Sequence, residues 1–237
     1  MATKLDAHES PISRIFSNDY VFRIPGYQRP YAWTTEQARD LYEDLTGFMT
    51  GSGTEVEDMP PYFLGSIVLI KDESSPDSDI VDGQQRLTTL TLLLSAIRAN
   101  VADKHASDIT QLIYEKASRI LGSQDRFRLT LRPLDRQFFQ EFVQREGGYE
   151  KLLELGDVTS DSQRRLQGNA RLFHERLAGI SEDDRIRLAE FIVTRCFLVV
   201  VATPDLGPVV IRDEGCGAVL ILAVYPMNRL FVGSCGG

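Results

Sequence analysis

The feature that most constrains the fold is a short apolar, strand-like segment that runs through a polar turn directly into a helix. It reads Ile80-Val81-Asp82-Gly83-Gln84-Gln85-Arg86-Leu87-Thr88-Thr89. The apolar entry favours a β-strand, Asp-Gly favours a turn, and an apolar stripe with helical spacing begins near Leu87. A strand, turn and helix in this order are the usual parts of a phosphate-handling turn.

The turn itself combines several kinds of chemistry that suit a phosphate. A carboxylate can hold a metal ion or orient water, and a glycine lets the backbone approach a ligand. Amides supply donors and acceptors, and a guanidinium offers a planar fork for phosphate. In chain order these residues are Asp82, Gly83, Gln84, Gln85 and Arg86. A helix that begins near Leu87 would direct its free N–H groups at the same place.

An ordinary turn is the alternative interpretation of the same residues. Asp-Gly is a common turn dipeptide, and Gln-Gln-Arg could be the solvated first turn of any helix. The hydroxyl of Thr88 could bind phosphate or could only cap the helix.

Two other segments favour the functional interpretation. Residues 22–33 place two tyrosines, the only tryptophan, a glutamine and Arg29 around two prolines. Because proline fixes the backbone, this loop would present its aromatic rings and its guanidinium rigidly. Residues 62–70 form a β-rich run that contains Gly-Ser, and they predict a buried strand paired with the short strand before the turn.

Three motifs in this chain, in this order and spacing, resemble one known family. They are Ile-Pro-x-Tyr-Gln-Arg-Pro-Tyr-x-Trp, Tyr-Phe-Leu-Gly-Ser-Ile and Val-Asp-Gly-Gln-Gln-Arg-Leu-Thr-Thr. The chain resembles the N-terminal domain family of GmrSD-type modification-dependent restriction systems. The resemblance is specific over about residues 12 to 100 and thinner to about residue 205.

The resemblance implies an α+β fold with a ParB/sulfiredoxin-like core, a small mixed sheet and a mainly helical second half. The core would span residues 1–105, with a helical extension of the same domain over 106–205 and an atypical tail over 206–237. Domains of this kind look like the NTP-binding and hydrolysing half of bacterial anti-phage enzymes. The other half is often an HNH-type nuclease.

On this basis we expect Mg²⁺-dependent binding and hydrolysis of a nucleoside triphosphate at the turn. Asp82 would hold the metal or orient water, Gln84 and Gln85 would position water and phosphate oxygens, and Arg86 would neutralise developing charge. The expected nucleotide- or DNA-binding residues are Tyr27, Gln28, Arg29, Tyr31, Gly83 and Thr88. The aromatic rings of the loop would stack on a base, or would pack beneath the turn.

A second hypothesis makes the domain a sensor without turnover. It would recognise a nucleotide or modified DNA and regulate a partner nuclease. The chain contains no Walker A pattern, which weakens any prediction of conventional P-loop hydrolysis. A ParB-like core that itself nicks DNA is a weaker third hypothesis, because no His-based metal motif is present.

Composition excludes several other classes. A net charge of −8 argues against a protein that coats DNA non-specifically. The alternation in residues 126–132 nevertheless predicts a strand with a basic face, which could follow a phosphate backbone or be balanced by nearby acids. Three cysteines without ligand spacing indicate neither a disulfide framework nor a zinc site, and the three histidines are more typical of surface or packing positions. With no apolar membrane span and no signal-peptide pattern, we expect a cytoplasmic protein.

Periodicity predicts the remaining elements. We expect a helical turn near residues 12–16, a strand near 20–24, and a helix capped by Thr34 and Gln37. Residues 50–61 resemble a mobile loop. Residues 109–121 and 138–143 predict helical faces. Helices are also predicted over 161–177 and after Ser181, followed by a fully buried strand over 196–202. The composition changes near Leu206, and we interpret the tail as truncated or frame-altered.

Overall fold

The computed structural model describes residues 6–53, 55–117, 120 and 122–204, together with the backbone of 209–212 and 219–222. The fold is a mixed α/β structure built on one six-stranded sheet, which confirms the α+β class. Likeness to ParB stays a prediction. Most of the predicted tail lies outside the described residues; within it, Val209–Arg212 (β9) pairs with Val219–Leu222 (β10) in an antiparallel arrangement.

The main sheet has the strand order β1-β8-β3-β4-β2-β7. Its strands are β1 Asp6–Pro11, β2 Val21–Arg23, β3 Tyr62–Lys71, β4 Asp77–Asp82, β7 Leu129–Thr130 and β8 Cys196–Thr203. β3 pairs antiparallel with β4, as the sequence predicts, and parallel with β8. A separate short pair joins β5 Tyr114–Glu115 to β6 Arg126–Phe127.

One part of this sheet matters most for function. β4, β2 and β7 are neighbours and run parallel, so their carboxyl ends lie at the same edge. We call this edge the carboxyl edge. In α/β sheets ligands bind outside the carboxyl ends of parallel strands, because the following loops and helix N-termini meet there. The polar turn follows β4, and the proline-braced loop follows β2.

Eight α-helices are found in the described residues. They are α1 Ile12–Ile15, α2 Thr35–Ser52, α3 Gln84–Arg98, α4 Asp103–Ile113, α5 Pro133–Phe139, α6 Gly148–Glu154, α7 Asp161–Ala178 and α8 Glu182–Arg195. A 3₁₀ turn, Val56–Asp58, and a π-helical segment, Gln140–Gln144, complete the set.

The two predicted helix caps are confirmed. The backbone N–H of Thr34 donates to Gln37 Oε1 at 2.9 Å at the start of α2, and the backbone N–H of Asp184 donates to Ser181 Oγ at 3.1 Å at the start of α8. Each bond satisfies a donor that the first helical turn leaves free.

α3 is the central helix of the core. It begins at Gln84, three residues earlier than the apolar stripe predicts, and every residue except Arg86 is buried. The stripe at Leu87, Leu90 and Leu94 therefore marks only one side of a helix that is covered on all sides. The hydrophobic core around it draws on residues from Ile12 to Val200.

Several local predictions are wrong. α4 ends at Ile113 because Tyr114 adopts an extended backbone and joins β5, so residues 109–121 do not form one helical face; Ile120 is 96% exposed. The predicted loop at 50–61 is partly ordered by α2 and the 3₁₀ turn, where Met59 is fully buried. β8 alternates between buried and half-buried residues, because one sheet face is covered more completely than the other.

The predicted open basic face is also wrong. The alternation breaks at Arg128, which separates β6 from β7. Arg128 is buried and donates to Asn18 Oδ1 at 2.6 Å, while Arg126 pairs with Glu115 at 2.8 Å. Arg132 pairs with an acid, as the alternative interpretation expected. These arginines therefore do not share one solvent face that could follow a DNA backbone.

Candidate functional site

Three chain segments meet at the carboxyl edge and enclose a small recess. They follow β2, β4 and β7, and the recess is lined by Ile24, Arg29, Tyr31, Gln84, Gln85, Thr88, Leu131, Arg132 and Asp135. Its cavity volume of about 10 Å³ is close to the minimum that holds one water molecule. A larger ligand must therefore lie across the mouth of the recess.

The turn that enters α3 strongly favours glycine. Gly83 has a φ of +92°, and a Cβ built on it would lie 2.5 Å from Ile67 Cγ2 and 3.2 Å from Ile67 Cα. The first distance is far inside van der Waals contact, and the dihedral is unfavourable for any other residue. Gly83 therefore lets β4 turn into α3 directly against the neighbouring strand β3.

The N-terminus of α3 has no side-chain cap among the described residues. The first helical hydrogen bond runs from Leu87 N–H to Gly83 O at 3.1 Å. The preceding amides of the first turn have no partner within the helix. With the helix dipole they favour an anion at this point.

Gln28 and Gln84 join the loop to the turn. Gln28 Nε2 donates to the carbonyl of Val81 at 3.0 Å, and Gln84 Nε2 reaches Gln28 Oε1 at a long 3.4 Å. Gln84 is buried and lines the recess, and its Oε1 accepts no bond from the described residues. Both predicted residues thus lie at the site, and Gln84 retains a free acceptor.

Gln85 holds the loop in place. Its Oε1 accepts from the backbone N–H groups of Ala32 and Trp33 at 2.7 and 3.2 Å, and its Nε2 donates to Pro30 O at 3.0 Å. The side chain is only 5% exposed. Because its amide is occupied by the loop backbone, Gln85 positions the loop and has little capacity left for a ligand.

Tyr31 lies beneath the loop. Its hydroxyl shares a hydrogen bond with Thr89 Oγ1 at 2.8 Å and accepts from Asn169 Nδ2 at 2.7 Å. Asn169, which belongs to α7, also donates to Trp33 O, so α7 is hydrogen-bonded to the loop. Burial raises the pKa of the Tyr31 hydroxyl to about 12, because the phenolate would lose its hydration. In this position Tyr31 packs under the turn, the second of the two roles that its sequence context suggested.

Two residues of the loop remain accessible. Tyr27 is 55% exposed, and Arg29 is exposed at the mouth of the recess. Thr88, in contrast, is buried, and its hydroxyl donates to Gln84 O at 2.8 Å within the helix. The donor proton of Thr88 is therefore committed to the helix backbone.

Asp82 and Arg86 lie on the β3 side of the turn. The guanidinium of Arg86 packs on Gly65, where an added Cβ would lie 3.2 Å from Nη1, and donates to Ser66 O at 3.2 Å. Gly65 has a φ of +105° at a bulge in β3, which explains the glycine of the Phe-Leu-Gly-Ser motif. Burial lowers the pKa of Arg86, opposed by the nearby Asp82 carboxylate, which is exposed.

A side-chain cluster lies at the end of β7, and the sequence predicted neither its burial nor the part that Ser162 plays in it. Arg132 Nε and Nη2 donate to Asp135 Oδ2 at 3.1 and 3.0 Å, and Ser162 Oγ donates to Asp135 Oδ1 at 2.5 Å. Asp135 is 1% exposed. The only signal in the sequence was an acid three residues after the last arginine of the basic segment.

The predicted Mg²⁺ can be tested against this donor set. In the described part of the chain, no group of three or more His, Cys, Asp or Glu side chains could hold a metal ion. Mg²⁺ commonly uses one or two carboxylates together with substrate phosphates and water. The exposed Asp82 therefore fits an ion that arrives with a nucleotide, and does not form a cage by itself.

The fold and site define an α/β domain with an anion-favouring recess at the carboxyl ends of parallel strands. A family model described as the N-terminal domain of GmrSD restriction endonuclease matches residues 12–214. The chain therefore belongs to this family and is a restriction-system domain. No curated protein sequence matches the chain. None of the described helices has the length and apolar character that crossing a membrane requires.

Proposed function

We propose that this domain binds a nucleoside triphosphate at the carboxyl edge and hydrolyses it to the diphosphate and inorganic phosphate. The observation that carries the proposal is the open N-terminus of α3, with exposed Arg29 and the free amide oxygen of Gln84 beside it. An uncapped helix end, a guanidinium and a water-sized recess together suit a phosphate chain and an attacking water.

In the proposed reaction, a water oxygen attacks the γ-phosphorus and the bond to the β,γ-bridging oxygen breaks. The diphosphate leaves with the electron pair of that bond, and the proton of the attacking water passes to the phosphate that is released. Gln84 Oε1 accepts a hydrogen bond from the attacking water and orients it, while Arg29 and the α3 amides stabilise the phosphate oxygens. Asp82 orients water or binds Mg²⁺ from the β3 side. Arg86, next to Asp82, neutralises the charge that develops on the transferred phosphoryl group. When bound, Mg²⁺ would neutralise charge on the phosphates. Exposed Tyr27 is the loop residue available to stack on a base.

The family supports a biological setting for the proposed activity. A restriction endonuclease must cut DNA, so we propose that nucleotide turnover here controls a nuclease domain or subunit, with modified DNA as the signal. An HNH-type nuclease is the expected partner.

Phosphate release tests the proposal directly. GTP, ATP and the deoxynucleotides would be offered with Mg²⁺ to the intact chain and to Arg29→Ala, Asp82→Ala and Arg86→Ala. We expect multiple turnovers, and losses of roughly 10²-fold or more when a charged group of the site is removed. Arg14→Ala is the matched control, because Arg14 pairs with exposed Asp19 and lines a different cavity. Absence of turnover with every nucleotide would contradict hydrolysis.

A nucleotide or modified-DNA sensor is the second candidate, and one observation favours it. The loop at the site is connected to α7 through Gln85, Tyr31 and Asn169, so a ligand that moves the loop would change contacts in the helical half. A sensor would bind a nucleotide saturably in calorimetry and release no phosphate beyond one equivalent. Multiple turnovers would exclude this candidate.

A further inference from the structure

Arg132 has no role in the reaction described so far, although it lines the same recess as Arg29 and Gln84. It follows β7, and Arg29 belongs to the loop after β2, which is the neighbouring parallel strand. The fold thus brings two arginines that are far apart in sequence to adjacent strand ends. Of the two, Arg29 is exposed, and the side chain of Arg132 is 17% exposed.

The orientation of the Arg132 guanidinium is fixed by its hydrogen bonds to Asp135. Its Nε and Nη2 both donate to Asp135 Oδ2, and the other oxygen of this buried carboxylate accepts from Ser162. Both oxygens of Asp135 are therefore engaged, and the carboxylate cannot turn without losing a bond in the interior. Ser162 belongs to the first turn of α7, so the pair is anchored to the helical half.

One edge of the guanidinium remains free. Arginine has five N–H donors, and the bonds to Asp135 use Nε and Nη2. Nη1 donates to no residue within the described ranges, and it is not among the buried atoms that lack a partner. The free edge is therefore accessible to solvent at the recess. A planar donor edge held by a buried acid is preorganised for a phosphate oxygen.

The charges and the size of the recess favour one class of ligand, a chain of phosphates. Arg132 and Asp135 form a neutral pair, so their attraction for an anion comes from the aligned N–H dipoles and not from net charge. Arg29 and the N-terminus of α3 supply the positive potential. Because the recess holds about one water molecule, an anion must span its mouth. A chain of two or three phosphates that lies across the mouth passes over a recess that both arginines line, whereas the recess itself is too small for a single phosphate.

We propose that Arg132 is a second phosphate-binding arginine of this site, in addition to Arg29, and that Asp135 and Ser162 are positioning residues that orient its free edge. The ligand is the di- or triphosphate group of a nucleotide. The inference rests on the proposed function for the identity of that nucleotide, but contact with phosphates does not require hydrolysis.

Inorganic pyrophosphate is the probe that tests this contact, with binding measured by calorimetry on the intact chain. Arg132→Gln is expected to weaken binding about tenfold or more, and Arg132→Lys to weaken it less, since the charge is retained while the fork is lost. Arg136→Gln is the matched control: Arg136 is exposed one helical turn further along α5 and does not line the recess. This control is expected to bind within about twofold of the parent.

Asp135→Asn separates positioning from simple electrostatics by the sign of the effect. The change adds one unit of positive charge near the recess, so electrostatics alone predicts tighter pyrophosphate binding. Loss of the fork that orients Arg132 predicts weaker binding. Weaker binding in a variant whose circular dichroism spectrum is unchanged supports the positioning role, and tighter or equal binding overturns it. Ser162→Ala gives a milder version of the same test if Asp135→Asn does not fold.

The outcomes distinguish this inference from the proposed function. If the parent binds pyrophosphate through Arg132 but releases no phosphate from any nucleotide, hydrolysis is wrong and the inference stands. If the parent hydrolyses nucleotide and Arg132→Gln binds pyrophosphate as the parent does, the inference is wrong and the function stands. If the parent does not bind pyrophosphate at all, the inference is overturned.

Discussion

Replacing Gly83 with alanine tests the turn on which the whole site depends. Two penalties act at this position. A left-handed backbone at φ +92° costs an L-residue about 1–2 kcal/mol. The added methyl group would lie 2.5 Å from Ile67 Cγ2, and overpacking of this kind costs about 1–3 kcal/mol. We therefore expect the free energy of unfolding to fall by about 2–5 kcal/mol.

The structure offers a control that isolates the steric part. Gly147 is also the N-cap of a helix, with a φ of +69°, but a Cβ built there meets nothing within 4 Å. Gly147→Ala should therefore show only the backbone penalty, about 1–2 kcal/mol. In an Ile67→Ala background the effect of Gly83→Ala should shrink toward that of the control, because the Cγ2 atom is gone.

Urea denaturation followed by fluorescence of the single tryptophan, Trp33, measures these differences. Trp33 lies in the loop that the turn supports, so its signal also reports local loosening of the site. Equal losses for Gly83→Ala and Gly147→Ala would refute the reasoning, because the close contact with Ile67 would then carry no cost. An Ile67→Ala background that leaves the Gly83→Ala effect unchanged would refute it as well.

Three further predictions concern the loop and its support. Gln85→Ala should lower the free energy of unfolding by about 2–4 kcal/mol, since two backbone N–H groups lose their acceptor and the carbonyl of Pro30 loses its donor; a loss below about 1 kcal/mol in urea denaturation would contradict this. The folded-state pKa of the Tyr31 hydroxyl is about 12, against about 10 for a tyrosine in water, so the free energy of unfolding should fall by about 3 kcal/mol in total as pH rises from 10 to 12. The unfolded chain ionises first over that range, so Tyr31→Phe should flatten the decline in a pH series of denaturation curves. Arg29→Gln should leave the free energy of unfolding within about 0.5 kcal/mol, because the side chain is exposed, yet weaken nucleotide binding in calorimetry; a large loss of stability would assign it a packing role.

For the polar turn, the sequence motif predicts the backbone elements but not the directions of the side chains. The order of residues predicts a strand, a glycine turn and a helix, and the structure has all three. The motif does not show that consecutive side chains diverge. Gln84 and Gln85 face the loop and the recess, whereas Arg86 lies over Gly65. Successive residues of a helix are separated by about 100°, so the start of α3 at Gln84, and not near Leu87, decides these directions.

The sequence predicts that the proline-braced loop is rigid, but it does not show which contacts hold the loop in place. Its prolines and aromatic residues predict rigidity, and the structure shows what makes it rigid: the amide of Gln85 and the side chain of Asn169. Asn169 follows the loop by more than 130 residues and carries no local signal. Only the packing of α7 against the loop reveals it.

The sequence by itself determined the elements whose causes are local. Caps at Thr34 and Ser181, the glycine turn at Gly83 and the β-rich run of β3 follow from interactions within a few residues, and three motifs identified the family. Tertiary structure alone decided which residues share the site. Arg29, Gln84 and Arg132 come together because β2, β4 and β7 are parallel neighbours, and strand order depends on contacts between distant segments. The burial of Arg128 and the bond from Ser162 to Asp135 have the same origin, since both depend on how the chain packs and not on its local pattern.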